Sequence, residues 1–570
     1  MKSLFRLCLT VITAGVLFSS CSKSSDEGKM IPKNAAFVAY FNTKSLSEKV
    51  SWNEIKQTAW YKELYADTAT KDWMKKLLDN PENSGIDMTA GIIFFAKKGA
   101  GNNYDLAFEG KIKNEKDFEQ FNKNLDPAAT AQKDGDINIM VLKDHGAAGW
   151  NDKNFVYAAN SNSYKPAAMP YEDSTDTNNQ SNMSRPVDNG VAMSMFCKSL
   201  FSLKADSSLA KNDRFSKLLS EKGDIHAWMN SEELMKDNPA MGMLGMLKLD
   251  VFFKDNLSTY TADFDNGKIV VNQKGYASKE LTDFMKKYKG GDINTDMIGN
   301  IPSQNVVGIL AMNYKPEGLK ELLKLTGMDG FINMYAGQMG FTLDDFVKAN
   351  NGDLLVAFSD LKMKSDSFNY KDDNGNTTNS TVYSKPDVNF LFSVGIADRP
   401  SFQKLIEAGK KIGGEMGMGN KMAFNLNDKT FAIGTNQQVV NQYLAGNKNK
   451  FDFMDKLKGH PVGLFIDLQK ILSSLNDSTF LKDADAKTIM DESMKTWRNV
   501  YYMGGGTDGD AMTATSEINF VDQSTNSLKQ LNQYFDRIAT VMLAKKEREK
   551  SQFDVPDSLM MPPPIDTIGH

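Results

Sequence analysis

The feature that most constrains this chain is a repeat, because segments of its first half recur in the same order in its second half. Residues 31–40 (IPKNAAFVAY) return as 301–310 (IPSQNVVGIL), with the same Ile-Pro opening. Collinear matches of this kind are the signature of a repeated structural unit. The sequence therefore predicts two diverged copies of one unit, at 30–290 and 300–540. Four further pairs keep the order: 106–121 with 390–405, 151–155 with 427–431, 225–234 with 462–471, and 264–288 with 507–535.

Local patterns indicate the structural class of the unit. Short apolar runs at 90–96 (AGIIFFA) and 354–358 (LLVAF) predict strands. Alternation of apolar and polar residues at 268–276, directly after an Asp-Asn-Gly turn, predicts the second arm of a hairpin. Helical periodicity follows strand patterns at 115–125 and 315–325. Because hairpins favour antiparallel pairing, we expect an α+β fold, in which each unit has an antiparallel sheet with helices packed on one face.

Three segments have the composition of irregular structure. Residues 160–189 and 365–389 are rich in polar residues and predict loops, one in each unit. The C-terminal segment 541–570 predicts the end of a helix followed by a disordered tail, since Pro556 and the run 562–564 are prolines.

The first twenty residues have the layout of a bacterial export signal. Lys2 and Arg6 form a basic start, and the apolar core at 7–18 is too short to span a bilayer. We therefore expect residues 1–20 to be a signal peptide that is removed from the mature protein.

The residues that follow this core resemble a bacterial lipobox. Residues 17–21 read LFSSC, and the resemblance implies cleavage before Cys21 and acylation of its thiol and its new amine. Two or three acyl chains would anchor the protein stably, whereas a single chain would hold it only marginally. We expect residues 21–29 to be a polar tether. The alternative is an ordinary signal peptide followed by a coincidental cysteine.

The three cysteines have separate expected fates. Cys8 leaves with the signal peptide, Cys21 carries the lipid, and Cys197 remains alone, so no internal disulfide can form. The largely apolar segment 191–197 (VAMSMFC) predicts a strand, in which Cys197 would be a buried and unreactive thiol.

The sequence contains none of the common catalytic or metal-binding motifs. The four histidines are scattered, and neither an HExxH nor a CxxC spacing occurs. Residues 372–375 depart from a calcium-binding loop, and the glycine-rich segment 413–421 lacks the glycine-lysine pair of a phosphate-binding loop. We therefore assign no catalytic residue, metal or cofactor, and favour a protein that is not an enzyme.

Two clusters of apolar residues are candidates for binding. Trp52, Trp60 and Trp73 lie close together in the sequence, and aromatic faces can stack on sugars or anchor protein partners. Three methionines within 241–246 could form an adaptable groove or a Cu(I) site. Packing in the protein core is the alternative for both clusters.

The assembled features point to the cell envelope. With the lipobox, the acidic pair Asp26-Glu27, the Ile31-Pro32 opening and the duplicated unit, the chain resembles uncharacterised lipoproteins of Bacteroidota that carry only a domain-of-unknown-function label. The resemblance implies an envelope lipoprotein and supplies neither an activity nor site residues. The pair Asp26-Glu27 also resembles the surface-export signal of such lipoproteins. We therefore expect the protein on the outer membrane and facing the cell surface, with the periplasm as the alternative.

The expected function is non-catalytic binding of a macromolecular or glycan partner by a lipid-anchored protein. The partners are then the membrane, through the anchor, and an envelope protein or glycan. A formal net charge of −5 argues against nucleic acid. The alternative is a lipid-anchored hydrolase acting on polysaccharide or peptide. Two close carboxylates in a cleft would favour the hydrolase, and a broad apolar patch without such a pair would favour the binding protein.

The lipid anchor can be tested with a single substitution. Cys21→Ala should move the protein from the membrane fraction to the soluble fraction, because the acyl chains would have no thiol to which they could be attached. Cys8→Ala, within the signal peptide, is the matched control and should leave the protein in the membrane fraction. An unmodified mature N-terminus in mass spectrometry of the wild type would contradict the prediction.

Overall fold

The computed structural model describes residues 27–553 apart from several short gaps. Within the described residues the fold comprises 18 α-helices and one antiparallel sheet of 18 strands, so the predicted α+β class is confirmed. None of the described helices combines the length and the apolar character that a membrane crossing requires. The gaps are 67–74, 76–78, 100–102, 143–145, 162–188, 237–241, 243–244, 246–247, 372–376, 416–421, 477–480 and 482.

The first half of the chain contains ten strands and eight helices. The strands are β1 (Ala35–Phe41), β2 (Ile92–Lys98), β3 (Tyr104–Lys111), β4 (Gln132–Asp134), β5 (Ile137–Leu142), β6 (Gly146–Trp150), β7 (Asn154–Asn160), β8 (Ile225–Asn230), β9 (Leu257–Asp265) and β10 (Lys268–Tyr276). The helices are α1 (Thr43–Lys49), α2 (Trp52–Gln57), α3 (Ala59–Ala66), α4 (Glu115–Leu125), α5 (Asn189–Phe201), α6 (Asp213–Ser220), α7 (Ser231–Met235) and α8 (Lys279–Lys287).

The second half contains eight strands and ten helices. The strands are β11 (Val306–Asn313), β12 (Asn350–Lys371), β13 (Thr377–Ile396), β14 (Ala423–Leu426), β15 (Thr430–Gly434), β16 (Val462–Ile466), β17 (Trp497–Asp508) and β18 (Ala511–Phe520). The helices are α9 (Thr295–Gly299), α10 (Pro316–Leu325), α11 (Asp329–Met339), α12 (Leu343–Ala349), α13 (Arg399–Glu415), α14 (Gln437–Ala445), α15 (Met454–Leu457), α16 (Leu468–Leu475), α17 (Ala484–Thr496) and α18 (Ser527–Phe553).

The strands form one unbranched sheet that runs through both halves. The two halves join where β10 pairs with β18, from Lys268 opposite Asn519 to Gly275 opposite Met512. The order across the sheet is β4-β5-β6-β7-β3-β2-β1-β8-β9-β10-β18-β17-β16-β11-β12-β13-β15-β14.

The strands of the two halves pair in the same pattern on either side of this junction. β1 lies between β2 and β8, and β11 lies between β12 and β16. Farther out, β3 pairs with β7 as β13 pairs with β15. The five sequence blocks fall on strands at matching places in this order. Duplication of the unit stays a prediction, and a superposition of 31–290 on 300–540 is its test.

Helices cover both faces of the sheet, so the expectation of one covered face was wrong. On one face, Phe118 of α4 packs against Trp150 and Phe155, with ring centroids 5.5 and 5.3 Å apart. On the other face, Cys197 of α5 is buried with its sulfur 3.9 Å from the carbonyl oxygen of Val156. Phe155 and Val156 are neighbours in β7, and successive strand residues face opposite sides. Consecutive apolar residues in a strand therefore require cover on both faces.

Residues 191–197 belong to helix α5 and not to the predicted strand. The segment is apolar except for Ser194, but Val191 and Met195 are 50% and 58% exposed. The buried residues are Met193, Cys197 and Leu200, which follow the spacing of one helical face. Two exposed apolar side chains therefore produced a false strand pattern.

The predicted polar loop at 365–389 is instead part of a long two-stranded ribbon. β12 pairs with β11 only as far as Ser359, whereas its pairing with β13 continues to Lys371 opposite Thr377. The ribbon thus extends beyond the neighbouring strands of the sheet. Of the other predicted loop, residues 162–188 lie outside the described part of the chain.

The carboxyl group of Glu109 on β3 is buried in this sheet. Glu109 is 3% exposed, and its Oε2 has no hydrogen-bond partner among the described residues. Burial disfavours the charged form and raises the pKa of Glu109 to about 8, and nearby Lys111 opposes this shift only partly.

This burial predicts a pH-dependent stability. Between about pH 4.5 and about pH 8 the folded protein retains a proton on Glu109 that the unfolded chain releases, so unfolding becomes easier as the pH rises through this range. Glu109→Gln should remove this contribution. The free energy of unfolding of the variant, relative to that of the wild type, should therefore increase from pH 5 to pH 8. Urea denaturation at both pH values measures the difference. Glu280→Gln, at an exposed position on α8, is the control. A difference between Glu109→Gln and the wild type that is the same at pH 5 and at pH 8 would contradict the prediction.

Candidate binding site

A cleft with a volume of about 440 Å³ opens beside the start of β1. We call it the lysine cleft, because three lysines lie in its wall. Its lining residues are Pro32, Lys33, Asn34, Lys97, Phe196, Ser199, Leu200, Leu203, Ser207, Glu233 and Lys236.

Backbone hydrogen bonds hold three separate segments together at the cleft. The Lys33 N–H donates to the carbonyl oxygen of Ser207 at 2.9 Å, which ties the segment before β1 to the turn after α5. Ala35, at the start of β1, lies opposite Lys97, near the end of β2. Lys33 and Lys97 therefore come together because β1 and β2 are antiparallel partners.

The short helix α7 provides the remaining charged groups. It follows β8 directly, and the side chain of Asn230 caps it by accepting a hydrogen bond from the Glu233 N–H at 3.2 Å. This cap fixes the first turn of the helix, and with it the position of Glu233. Lys236 ends the same helix, where its N–H donates to the carbonyl oxygen of Glu232.

The charge of the cleft differs in sign from that of the whole chain. Three lysines and one glutamate line it, whereas the chain carries a formal net charge of −5. A local excess of positive charge on an acidic protein attracts anionic ligands to that place. The Lys97 ammonium also lies 5.8 Å from the ring centroid of Phe196, within the range of a cation–π contact.

Glu233 has an unsatisfied acceptor in the wall of the cleft. Its Oε2 is shielded from solvent and has no hydrogen-bond partner among the described residues. The Lys236 ammonium is 3.6 Å away, close enough for an ion pair but beyond hydrogen-bond distance. Because buried polar atoms are almost always hydrogen-bonded, this carboxylate would gain a partner if its side chain turned toward a donor on a ligand in the cleft.

The remaining wall of the cleft is apolar. Leu200 is buried, and Phe196 is half-buried on the same helix, α5. Apolar walls with a few polar groups are typical of ligand sites, and 440 Å³ lies within their usual range of about 300–1,000 Å³. The cleft can therefore hold a ligand that has an apolar face, hydrogen-bond donors and negative charge.

The structure brings together two of the three tryptophans that were candidates for binding. Trp52 and Trp60 flank Tyr61, with ring centroids 5.6 and 6.2 Å from its ring. These residues form a small core with Ile55 and with Leu528 of the C-terminal helix. Trp73 lies outside the described residues.

The C-terminal helix α18 covers this aromatic cluster. Trp60 Nε1 donates to Asn532 Oδ1 at 3.2 Å, and the N–H of Ala59 donates to Asp536. Lys529 of α18 also forms a salt bridge with Glu54. These contacts join the second half of the chain to the first, so Trp52 and Trp60 have packing contacts. Their part in binding a partner stays a prediction.

The other candidates from the sequence that the structure describes do not line the cleft. Cys21 and the three methionines within 241–246 lie outside the described residues. His226 is buried in β8 with Nε2 2.9 Å from the carbonyl oxygen of Glu221. Among the described residues no three His, Cys, Asp or Glu side chains come together in a way that could hold a metal ion.

Comparison with known proteins found a similarity over part of the chain. Residues 28–185 match the sequence model of a family described as a domain of unknown function, DUF4836. The match includes β1 and β2, and thereby Lys33 and Lys97 of the lysine cleft. Neither the curated proteins nor the solved structures gave a match. The expected resemblance to a family with such a label therefore holds for this region, whereas the lipoprotein character and the Bacteroidota origin stay predictions.

The packing of Trp60 can be measured as stability. Trp60→Ala should lower the free energy of unfolding by about 2–4 kcal/mol, slightly below the usual loss for a fully buried tryptophan, because the side chain is half-buried. Trp60→Phe keeps one aromatic ring but loses part of the packing and the hydrogen bond to Asn532, so an intermediate loss of about 1–2 kcal/mol is expected. Urea denaturation measures both. Equal stability of Trp60→Ala and the wild type would show that α18 does not depend on this contact.

Proposed function

We propose that this protein is a lipid-anchored protein of the outer membrane that binds a macromolecular or glycan partner without catalysis. The observation that supports this proposal most directly is the lysine cleft, which has three cationic groups, an unsatisfied acceptor and an apolar wall. We further propose that the body of the protein faces the cell surface, as the acidic pair Asp26-Glu27 suggests.

The composition of the cleft favours binding over hydrolysis. Glycoside hydrolysis commonly uses two carboxyl groups, about 5–5.5 Å apart in retaining enzymes and about 6.5–9.5 Å apart in inverting enzymes. Among the described residues that line the cleft, Glu233 is the one acidic residue, so none of them supplies a second carboxyl group as base or nucleophile. The hydrolase alternative therefore has no support from this site.

The size of the cleft indicates how a large partner would engage it. A volume of about 440 Å³ admits a sugar ring or a side chain, but not a whole polymer or protein. A macromolecule would therefore insert one group and leave the rest outside. An exposed apolar face on α11, formed by Phe331, Met334 and Tyr335, offers further contact area in the second half of the chain.

The proposed anchor would keep the cleft near the membrane surface. Pro32 lies eleven positions after Cys21 in the sequence, and a fully extended chain over that interval spans at most about 40 Å. Components of the outer membrane and molecules attached to it are therefore within reach of the lysine cleft.

The proposal predicts capture that depends on the cleft. The soluble Cys21→Ala protein, crosslinked in detergent-solubilised envelopes, should yield a specific adduct. A second protein that also carries Lys97→Glu and Lys236→Glu should lose this adduct, because two positive charges become negative. Lys279→Glu on α8 reverses one charge outside the cleft and should retain the adduct.

Absence of turnover is the second part of this test. Incubation with envelope polysaccharide should release no new reducing ends, and incubation with envelope protein should release no new peptide termini. Equal capture by the cleft variant and by Lys279→Glu would contradict binding at this site. Release of fragments by the wild type alone would favour the hydrolase.

A further inference from the structure

From the groups in the lysine cleft we infer that its ligand is a sugar that bears an anionic substituent, either a carboxylate or a phosphate. The inference rests on the proposed function, since it names the chemical class of the group that the cleft would bind. Three features support it: the lysines, the unsatisfied Glu233 oxygen and the apolar wall on α5.

The lysines account for the negative charge of the ligand. Lys33 comes from the segment before β1, Lys97 from β2 and Lys236 from the end of α7, so three elements direct ammonium groups to one cleft. Placing like charges together is unfavourable unless an opposite charge lies between them. Glu233 compensates Lys236, and Asp206 lies within electrostatic range of Lys33, so the described residues around the cleft still leave an excess of positive charge for an anion.

Glu233 indicates that the ligand carries hydroxyl groups in addition to its negative charge. A bare anion would be repelled by this carboxylate, whereas a ligand that also carries hydroxyl donors can satisfy Oε2. A sugar has several hydroxyls close to its anionic group. Asn34, Ser199 and Ser207 also line the cleft and offer further amide and hydroxyl groups.

The apolar wall of the cleft indicates that the ligand has a sugar ring. A sugar ring has a face of C–H groups, which packs against aromatic and aliphatic side chains while its hydroxyls point to the rim. Phe196 and Leu200 on α5, together with Leu203 just beyond its end, form such a wall. An acidic peptide would supply negative charge but not the row of hydroxyls, and it serves as the competing ligand in the test.

Binding assays with matched ligands test the inference. A trimer of α-1,4-linked galacturonate should bind to the full mature chain carrying Cys21→Ala at least about tenfold more tightly than its methyl ester, because the ester keeps the rings and loses the charge. Glucose 6-phosphate compared with glucose is the phosphate arm, and the arm with the larger difference identifies the anionic group. Isothermal titration calorimetry at low and high salt measures the affinities, and added salt should weaken the binding of the acid forms only.

Substitutions then locate the bound sugar. Lys97→Gln and Lys236→Gln should each weaken binding of the preferred anionic sugar about fivefold or more, while Lys279→Gln should not change it. Glu233→Gln should weaken binding of the sugar, because a charged acceptor is replaced by a neutral one, and should strengthen binding of inorganic phosphate, because a repulsive charge is removed. Opposite responses to this one substitution separate a sugar site from a plain anion site.

Several outcomes would overturn the inference. These are equal affinity for each acid and its neutral counterpart, tighter binding of a tri-glutamate peptide than of either anionic sugar, or affinities that none of the cleft substitutions change. Thermal unfolding of each variant confirms that it is folded. The proposed function is judged separately by the crosslinking experiment, since an adduct that depends on the cleft would persist with a neutral or peptide ligand.

Discussion

The pairing of β10 with β18 is the interaction on which the rest of the architecture depends. Eight residue pairs join the two strands and turn two half-sheets into one. Without this ladder each half would expose an edge strand with unpaired N–H and C=O groups, which invites pairing with other chains. Side chains reinforce the junction, since Arg214 on α6 forms a salt bridge with Asp510 from the turn between β17 and β18. Helix α18 adds a second connection through Trp60 and Asn532.

Much of the fold could be predicted from the sequence, because its hairpins and amphipathic helices are local patterns. The turn between β9 and β10 and the helices α4 and α10 lie where periodicity placed them. The errors arose where tertiary contacts decide the outcome. The largely apolar segment 191–197 was misleading because it forms a helix in which Val191 and Met195 are exposed. Cover on both faces of the sheet depends on which helices return to it, and periodicity carries no information about that.

The candidate site could not be predicted in the same way. Lysines are common surface residues, and Lys33, Lys97 and Lys236 are far apart in the sequence. Only the pairing of β1 with β2 and the placement of α7 after β8 bring them together. The tryptophans, by contrast, could be picked out from the sequence because tryptophan is rare and Trp52, Trp60 and Trp73 lie close together. The structure gives Trp52 and Trp60 contacts in a core shared with α18, which rarity alone could not reveal.

The ribbon formed by β12 and β13 has a consequence for copies of this protein that crowd side by side. Beyond Ser359 its outer backbone edges have no further strand beside them among the described residues. Pro386 lacks an N–H donor, and Lys364 lies directly opposite Lys385, whose ammonium forms a salt bridge with Asp366 of the same ribbon. Proline and lysine on a strand edge oppose the addition of another strand. The part of the sheet that is most open to extension therefore also carries residues that disfavour pairing with a strand from a second copy.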